Sequence, residues 1–153
     1  MNFWIEVTSG MRWDRMREER NVVLSAPNTT RYRNFFQNLK TDDLVLHYLT
    51  ASLTRNKEKR SSAVGVSKVA SDPTVAEKPI IAKCSDTLEF PKPVSYSALC
   101  GIKPKSAEFG KLLEVSMQRY LTQISQSDFE LILGIYPANE KRFRKSPLAK
   151  QLH

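Results

Sequence analysis

The sequence predicts an α+β domain, and three observations predict it. Apolar residues recur with period two at Phe3–Val7, Leu44–Leu49 and Ala63–Val69, which is the strand pattern. Charged stretches with apolar residues at helical spacing fill residues 11–20 and 30–39. Turn-forming residues fall between the segments, as at Ser9-Gly10, Pro27, Asp72-Pro73 and Pro91. At 153 residues the chain fits one domain whose core buries roughly 70% of the unfolded surface.

In the first strand Phe3, Ile5 and Val7 alternate with Asn2, Trp4 and Glu6, so Trp4 implies that both faces are covered. Met11–Arg20 follows as a surface helix, because Trp13 and Met16 form only a thin apolar stripe. Trp13 then anchors this helix on the core, and Arg12, Arg15 and Arg20 face solvent or a polyanion. Val22–Leu24 reads as a short buried strand or extended turn, stopped by Pro27, which biases Ala26 towards an extended conformation. Asn28, Thr29 or Thr30 caps a second helix whose apolar face carries Tyr32, Phe35, Phe36 and Leu39. Thr41-Asp42-Asp43 turns the chain into the Leu44–Leu49 strand.

The polar stretch from Ser52 to Ser62, with its charge run Arg55–Arg60, lies between two strands and reads as a hairpin loop. Ala63–Val69 is the returning strand. Two further strands are expected at residues 79–84 and 87–90, with Pro91 and Pro93 ending the second. Tyr96–Leu99 suggests a short helix, and Ser106–Leu113 a longer one with Phe109, Leu112 and Leu113 on one face. Ser125, three residues before Asp128, marks the start of a helix running to Leu133. Residues 1–137 are taken as the domain and the basic residues 138–153, with the aromatic Phe143, as an exposed tail.

The 24 Lys and Arg residues outnumber the 16 Asp and Glu residues, for a net charge of +8. Such a surface attracts polyanions without reading their sequence. Cys84 and Cys100 form no CxxC pair and are expected as reduced thiols, and His47 and His153 are the only histidines, so no metal or other cofactor is expected. Catalysis lacks a convincing acid–base pair, since Asp42 and Asp43 look like turn residues and Glu6 is isolated, so no enzyme is expected. No apolar run reaches the roughly 20 residues of a membrane helix and no signal peptide opens the chain, which implies a cytoplasmic protein without membrane partners.

In their order the segments from residue 2 to 133 resemble an EVE domain, a relative of the YTH domain in the PUA-like superfamily. Asn21–Pro27 resembles the "GVWGVP" of EVE domains and the "GVWS" of YTH domains. Asp42-Asp43 resembles the "kpGD" approach to a central strand, with the glycine absent. Tyr96–Leu99 is similar to the "kpIpf.eLi" helix, and Ser125–Leu133 to the "l.eeDf..I" ending. The resemblance implies a PUA-like, twisted, barrel-like sheet of about five to six strands flanked by helices, with a pocket at one end for a base flipped out of its strand.

It also implies a nucleic-acid-binding module that recognises a modified base, with methylation the first expectation. The target is DNA or RNA, and a nuclease or NTPase domain or subunit is the expected protein partner. Two alternatives stay open: a small hydrolase of the ASCH type acting on RNA or nucleosides, and a protein-interaction scaffold. The tryptophan that walls the family's pocket is replaced by Leu24, with Val23 one place earlier, which leaves the aromatic cage incomplete. The base pocket implied comprises Ser9, Val23, Leu24, Ser25 and Tyr48, with Trp4, Trp13, Tyr32 and Tyr120 as further aromatic candidates. Arg31, Arg33, Lys57, Lys59 and Arg60 are the candidate phosphate contacts, and His47, on the other strand face from Tyr48, is read as structural or surface.

Overall fold

The computed structural model describes residues 1–51, 54–74 and 78–152. Ser52 and Leu53 of the expected hairpin loop lie outside the described residues, as does His153. Six strands, β1 (Phe3–Thr8), β2 (Val23–Ala26), β3 (Leu44–Leu49), β4 (Ser62–Val69), β5 (Ile80–Ser95) and β6 (Leu121–Ile124), form one curled sheet in the order β2-β5-β4-β3-β1-β6. The α+β class and the PUA-like sheet follow from this layout. β1 and β3 run parallel at its centre, Phe3 opposite Leu44 and Thr8 opposite Leu49. A parallel pair needs a long crossover, and helix α1 (Gly10–Glu19), β2 and helix α2 (Thr30–Phe36) supply it.

Both sheet faces are covered. Phe3, Ile5, Leu44, Leu46 and Tyr48 pack against Leu99, Phe109, Leu112, Phe129, Ile132 and Phe143, which come from helices α3 (Tyr96–Cys100), α4 (Ala107–Glu114), α5 (Gln126–Gly134) and α6 (Pro137–Arg144). On the other face Trp4 and Val45 meet Leu24, Phe36, Leu39 and Ile80, while Leu49 and Val64 meet Trp13, Met16 and Val22 of the α1 region. Trp13 is fully buried, as the anchor reading requires. Side chains of Ser9, Thr29, Ser95 and Ser125 each accept a backbone N–H of the helix they open.

The turn before β3 shows why glycine can be dispensed with there. Asp42 adopts φ 75°, the left-handed region that Asp tolerates better than most residues. Asp43 is buried and accepts from Trp4 Nε1 at 2.9 Å, Asn2 N at 2.8 Å and Lys40 N at 2.9 Å, tying the start of β1 to the turn.

Three expectations are corrected. Pro91 and Pro93 do not end a strand: β5 continues to Ser95, because both prolines fall between the Glu89–Gly65 and Val94–Ala63 pairs, where the ladder shifts register. β6 was not anticipated, since Leu121 and Ile124 face opposite cores three residues apart and leave no period-two signal. The stretch read as an exposed tail is helical. α6 is followed by a 3-10 turn, Pro147–Gln151, and Asn139, Phe143 and Leu148 are all fully buried. Among the described residues no helix is long and apolar enough to cross a membrane.

Candidate functional site

The C-terminal ends of the parallel strands β1 and β3 open into a cleft of about 470 Å³, within the range of small-molecule sites. Val7, Tyr48, Thr50 and Ser61 line one side, and the segment Ser116–Tyr120 closes the other. Tyr48 is buried, and that burial pushes its phenol up to about 12 against a hydrogen bond with Ser61. Burial raises the Tyr120 phenol well above its ordinary value too, and the adjacent Glu6 carboxylate raises it further. Both rings are therefore neutral at every physiological pH. A hollow beside α5 is larger, about 650 Å³, but Glu130 lines it and no aromatic ring does.

On the sheet face opposite Tyr48 lies a polar network that reaches the cleft through Tyr120. Glu6 and His47 are register partners across β1 and β3, both fully buried, with His47 Nδ1 2.8 Å from Glu6 Oε1. The carboxylate only accepts, so Nδ1 carries the hydrogen. His47 Nε2 is 2.7 Å from Ser67 Oγ, which is 2.7 Å from Thr87 Oγ1. Arg12 Nη1 donates to Glu6 Oε2 and Thr8 Oγ1, both at 3.1 Å, and Arg12 Nη2 donates to the Val23 carbonyl at 2.6 Å. Tyr120 Oη donates to Glu6 Oε2 at 2.8 Å and accepts from Ser25 N at 2.9 Å. Burial alone would raise the Glu6 carboxyl. The His47 hydrogen bond, the fields of His47 and Arg12 and the Tyr120 hydroxyl outweigh it, and the carboxyl sits below its ordinary value.

Of the residues the sequence nominated for the pocket, the structure puts Tyr48 in the cleft wall. Ser25 reaches the cleft only through Tyr120. Ser9 caps α1, accepting from Arg12 N at 3.1 Å. Val23 packs beside Trp13 and Met16, and Leu24 is fully buried among Trp4, Ala26 and Phe36. Leu24 does not line this cleft: β2 pairs with the start of β5 and turns this side chain into the core.

Of the cations, Lys57, Lys59 and Arg60 sit on the turn that leads into Ser61 and the cleft. Lys59 also reaches Glu89 at 3.5 Å. Arg31 and Arg33 are on α2, Arg31 over the Tyr32 ring and Arg33 bonded to Asn28 and Thr30, beside a separate groove with Lys40 and Asp72. Arg12, expected to face solvent or a phosphate backbone, turns inward to Glu6.

Within the Ser116–Tyr120 wall, Tyr120 alone is nominated by the sequence, as an aromatic candidate. Ser116 and Met117 both have positive φ, 54° and 61°, a conformation costing non-glycine residues about 1–2 kcal/mol each. Glu6 was misread as isolated, although a carboxylate and a histidine each centred in an apolar strand are a signal once those strands are paired. Among the described residues no three His, Cys, Asp or Glu side chains gather as metal ligands.

The sequence profile of the EVE domain matches residues 2–135. The chain belongs to the EVE domain family. Solved structures share the fold of this EVE domain at low identity. A hypothetical protein from Leishmania major aligns with TM-score 0.62 and 15% identity over 94% of this chain and 98% of its own. The N-terminal domain of Staphylothermus marinus McrB aligns with TM-score 0.58 and 12% identity over 85% and 92%. The YTH domain of Zygosaccharomyces rouxii MRB1, solved in complex with N6-methyladenosine RNA, aligns with TM-score 0.56 and 14% identity over 86% and 84%. No curated protein matches the EVE domain described here.

Proposed function

We propose that this EVE domain is a non-catalytic nucleic-acid reader that takes one modified base into the cleft between Tyr48 and Tyr120. The observation that carries the reading is a cleft lined by Tyr48 and Tyr120, both neutral, set beside the cationic turn Lys57–Arg60, in a chain with net charge +8. Aromatic rings give a base a stacking surface and the cations hold phosphates, so the two parts separate recognition from anchoring. The Tyr120 hydroxyl is committed to Glu6 and Ser25 and its ring packs against Tyr32 and Phe36, which fixes this residue at the cleft and leaves the Tyr48 ring as the stacking surface. The YTH structure crystallised with N6-methyladenosine RNA shares this fold and supports the choice of a methylated base. Extrusion of the base costs a few kcal/mol, which phosphate contacts offset.

Titration of methylated and unmodified oligonucleotides tests the reading. The expected result is tighter binding of a methylated strand and loss of that preference in Tyr48→Ala. Equal binding of all strands by both proteins would overturn it.

The hydrolase reading has one observation in its favour. Glu6, His47 and Ser67 are joined in the order of an acid–histidine–serine triad. Yet Ser67 is fully buried and its hydroxyl is bonded to Thr87, so no substrate carbonyl reaches it. A serine-directed fluorophosphonate is expected to leave the protein unlabelled, and labelling lost in Ser67→Ala would favour the hydrolase instead.

A further inference from the structure

Beyond the profile match, α6 lies along the edge of β5 that β2 leaves unpaired, since β2 pairs only with Ile80–Lys83. Asn139 clasps that edge: Lys92 N donates to Asn139 Oδ1 at 3.0 Å and Asn139 Nδ2 donates to the Lys92 carbonyl at 2.7 Å. The clasp sets Lys141, Arg142 and Lys145 along a groove of about 580 Å³ whose other wall is Leu88 and Pro91. No carboxylate lines this groove, and the acids Glu130 and Glu140 nearby are both held by Arg144. Lys141 and Lys145, four residues apart, repel each other on one helix face. Helix-dipole stabilisation accounts for cations in a last turn, but not for what they adjoin.

Arg142 adjoins Glu89. Arg142 donates to the Glu89 carbonyl at 3.4 Å, while the Glu89 carboxylate is shared by Arg17 of α1 at 3.1 Å and Lys59 of the cationic turn at 3.5 Å. Cations from α1 and from the turn thus meet on the Glu89 carboxylate, and one from α6 reaches the backbone of the same residue at the sheet edge. Glu89 pairs with Gly65, three residues from Ser62, where β4 leaves the cleft. At about 3.3 Å per residue that is roughly 10 Å of strand.

We infer that the groove of Lys141, Arg142 and Lys145 is a second backbone-binding surface, which carries the single strand onward from the cleft past Lys59. This rests on the proposed function, and the strand's continuous charge is what matches a run of cations of this length; a base in the cleft alone touches none of them. Phosphates here relieve the repulsion between Lys141 and Lys145.

The test compares the wild-type protein with the triple variant Lys141→Gln, Arg142→Gln, Lys145→Gln, and with the control Lys103→Gln, Lys105→Gln. Affinity for a single-stranded tetranucleotide and a dodecanucleotide, each carrying the modified base, is measured by fluorescence anisotropy between roughly 50 and 200 mM salt. For the dodecanucleotide, losing three phosphate contacts is expected to flatten the log–log salt slope by about 2 and to weaken binding at least tenfold at the lower salt. Tetranucleotide binding and the control variant are expected to match wild type. An unchanged slope in the triple variant, or equal losses in the control or on the tetranucleotide, would overturn the second surface and leave the cleft reading standing. If the wild-type protein binds neither strand, both readings fall.

Discussion

His47 and Glu6 face each other across the parallel strands at the centre of the sheet, 2.8 Å apart and both closed to solvent. A buried pair of this kind gains little over an apolar pair of the same shape, but removing one partner leaves the rest of the network unpaired. Glu6→Ala takes the carboxylate partner from the Arg12 guanidinium, the His47 ring and the Tyr120 hydroxyl at once. A loss of about 3–5 kcal/mol in urea unfolding is expected, with Glu6→Gln milder because the amide oxygen still accepts. Equal stabilities for wild type and Glu6→Ala would show that the network contributes nothing.

The same carboxyl sets an acid limit. Glu6 lies below its ordinary value of 4.5 when folded, so its contribution is complete above that pH and is lost as pH falls through the lowered folded value. Asp128 behaves alike: burial opposes its ionisation, but hydrogen bonds from Ser106, Lys105 and Ser125 lower it from 3.8. Urea midpoints are expected to hold from pH 7 to about 5 and to drop steeply below 4.5. In Glu6→Gln the drop is expected to be shallower, and a profile parallel to wild type would mean that Glu6 does not control it.

Gly65 is required for close approach between strands rather than for turn geometry. A Cβ there would lie 2.4 Å from the Leu88 carbonyl oxygen, which is backbone and cannot swing aside. Gly65→Ala is expected to cost about 1–3 kcal/mol through displacement of β5. Thermal melting reads it out, and an unshifted midpoint would show that the two strands part freely.

Leu24→Trp separates core from pocket. Leu24 has no exposed surface and packs in one cluster with Trp4 and Phe36, so indole must displace one of them. Destabilisation of about 1–3 kcal/mol is expected, with the order of preference among methylated and unmodified oligonucleotides unchanged. A new preference in the variant would put position 24 back in contact with the base.

The central strands were legible because their alternation is imposed by two buried faces, and Leu44–Leu49 was bounded to the residue. Helix starts were legible from Ser125 and from the group Asn28–Thr30, of which Thr29 makes the cap, because these side chains do locally what their identity suggests. The cleft was not. Tyr48 was placed from resemblance, but the opposite wall needs Ser116 and Met117 in left-handed conformations that no glycine announces. Likewise Glu6 and His47 look unrelated until the β1–β3 register brings them together.

α6 read as a tail because Phe143 is its single aromatic and Leu148 lies five residues on, off any helical stripe. What holds it is one ring and one amide. Phe143 is fully buried, its ring centroid 5.5 Å from that of Phe129, and Asn139 satisfies both backbone groups of Lys92 on the open β5 edge. Phe143→Ala is expected to cost about 3–5 kcal/mol through the cavity it leaves. Asn139→Ala is expected to cost about 1–3 kcal/mol, because the Lys92 N–H and carbonyl lose their partners. A disposable tail would show neither effect, and a protein ending at Pro137 would then melt with the full chain. We expect it to melt well below, with faster amide exchange confined first to residues 88–94, the part of β5 that α6 covers.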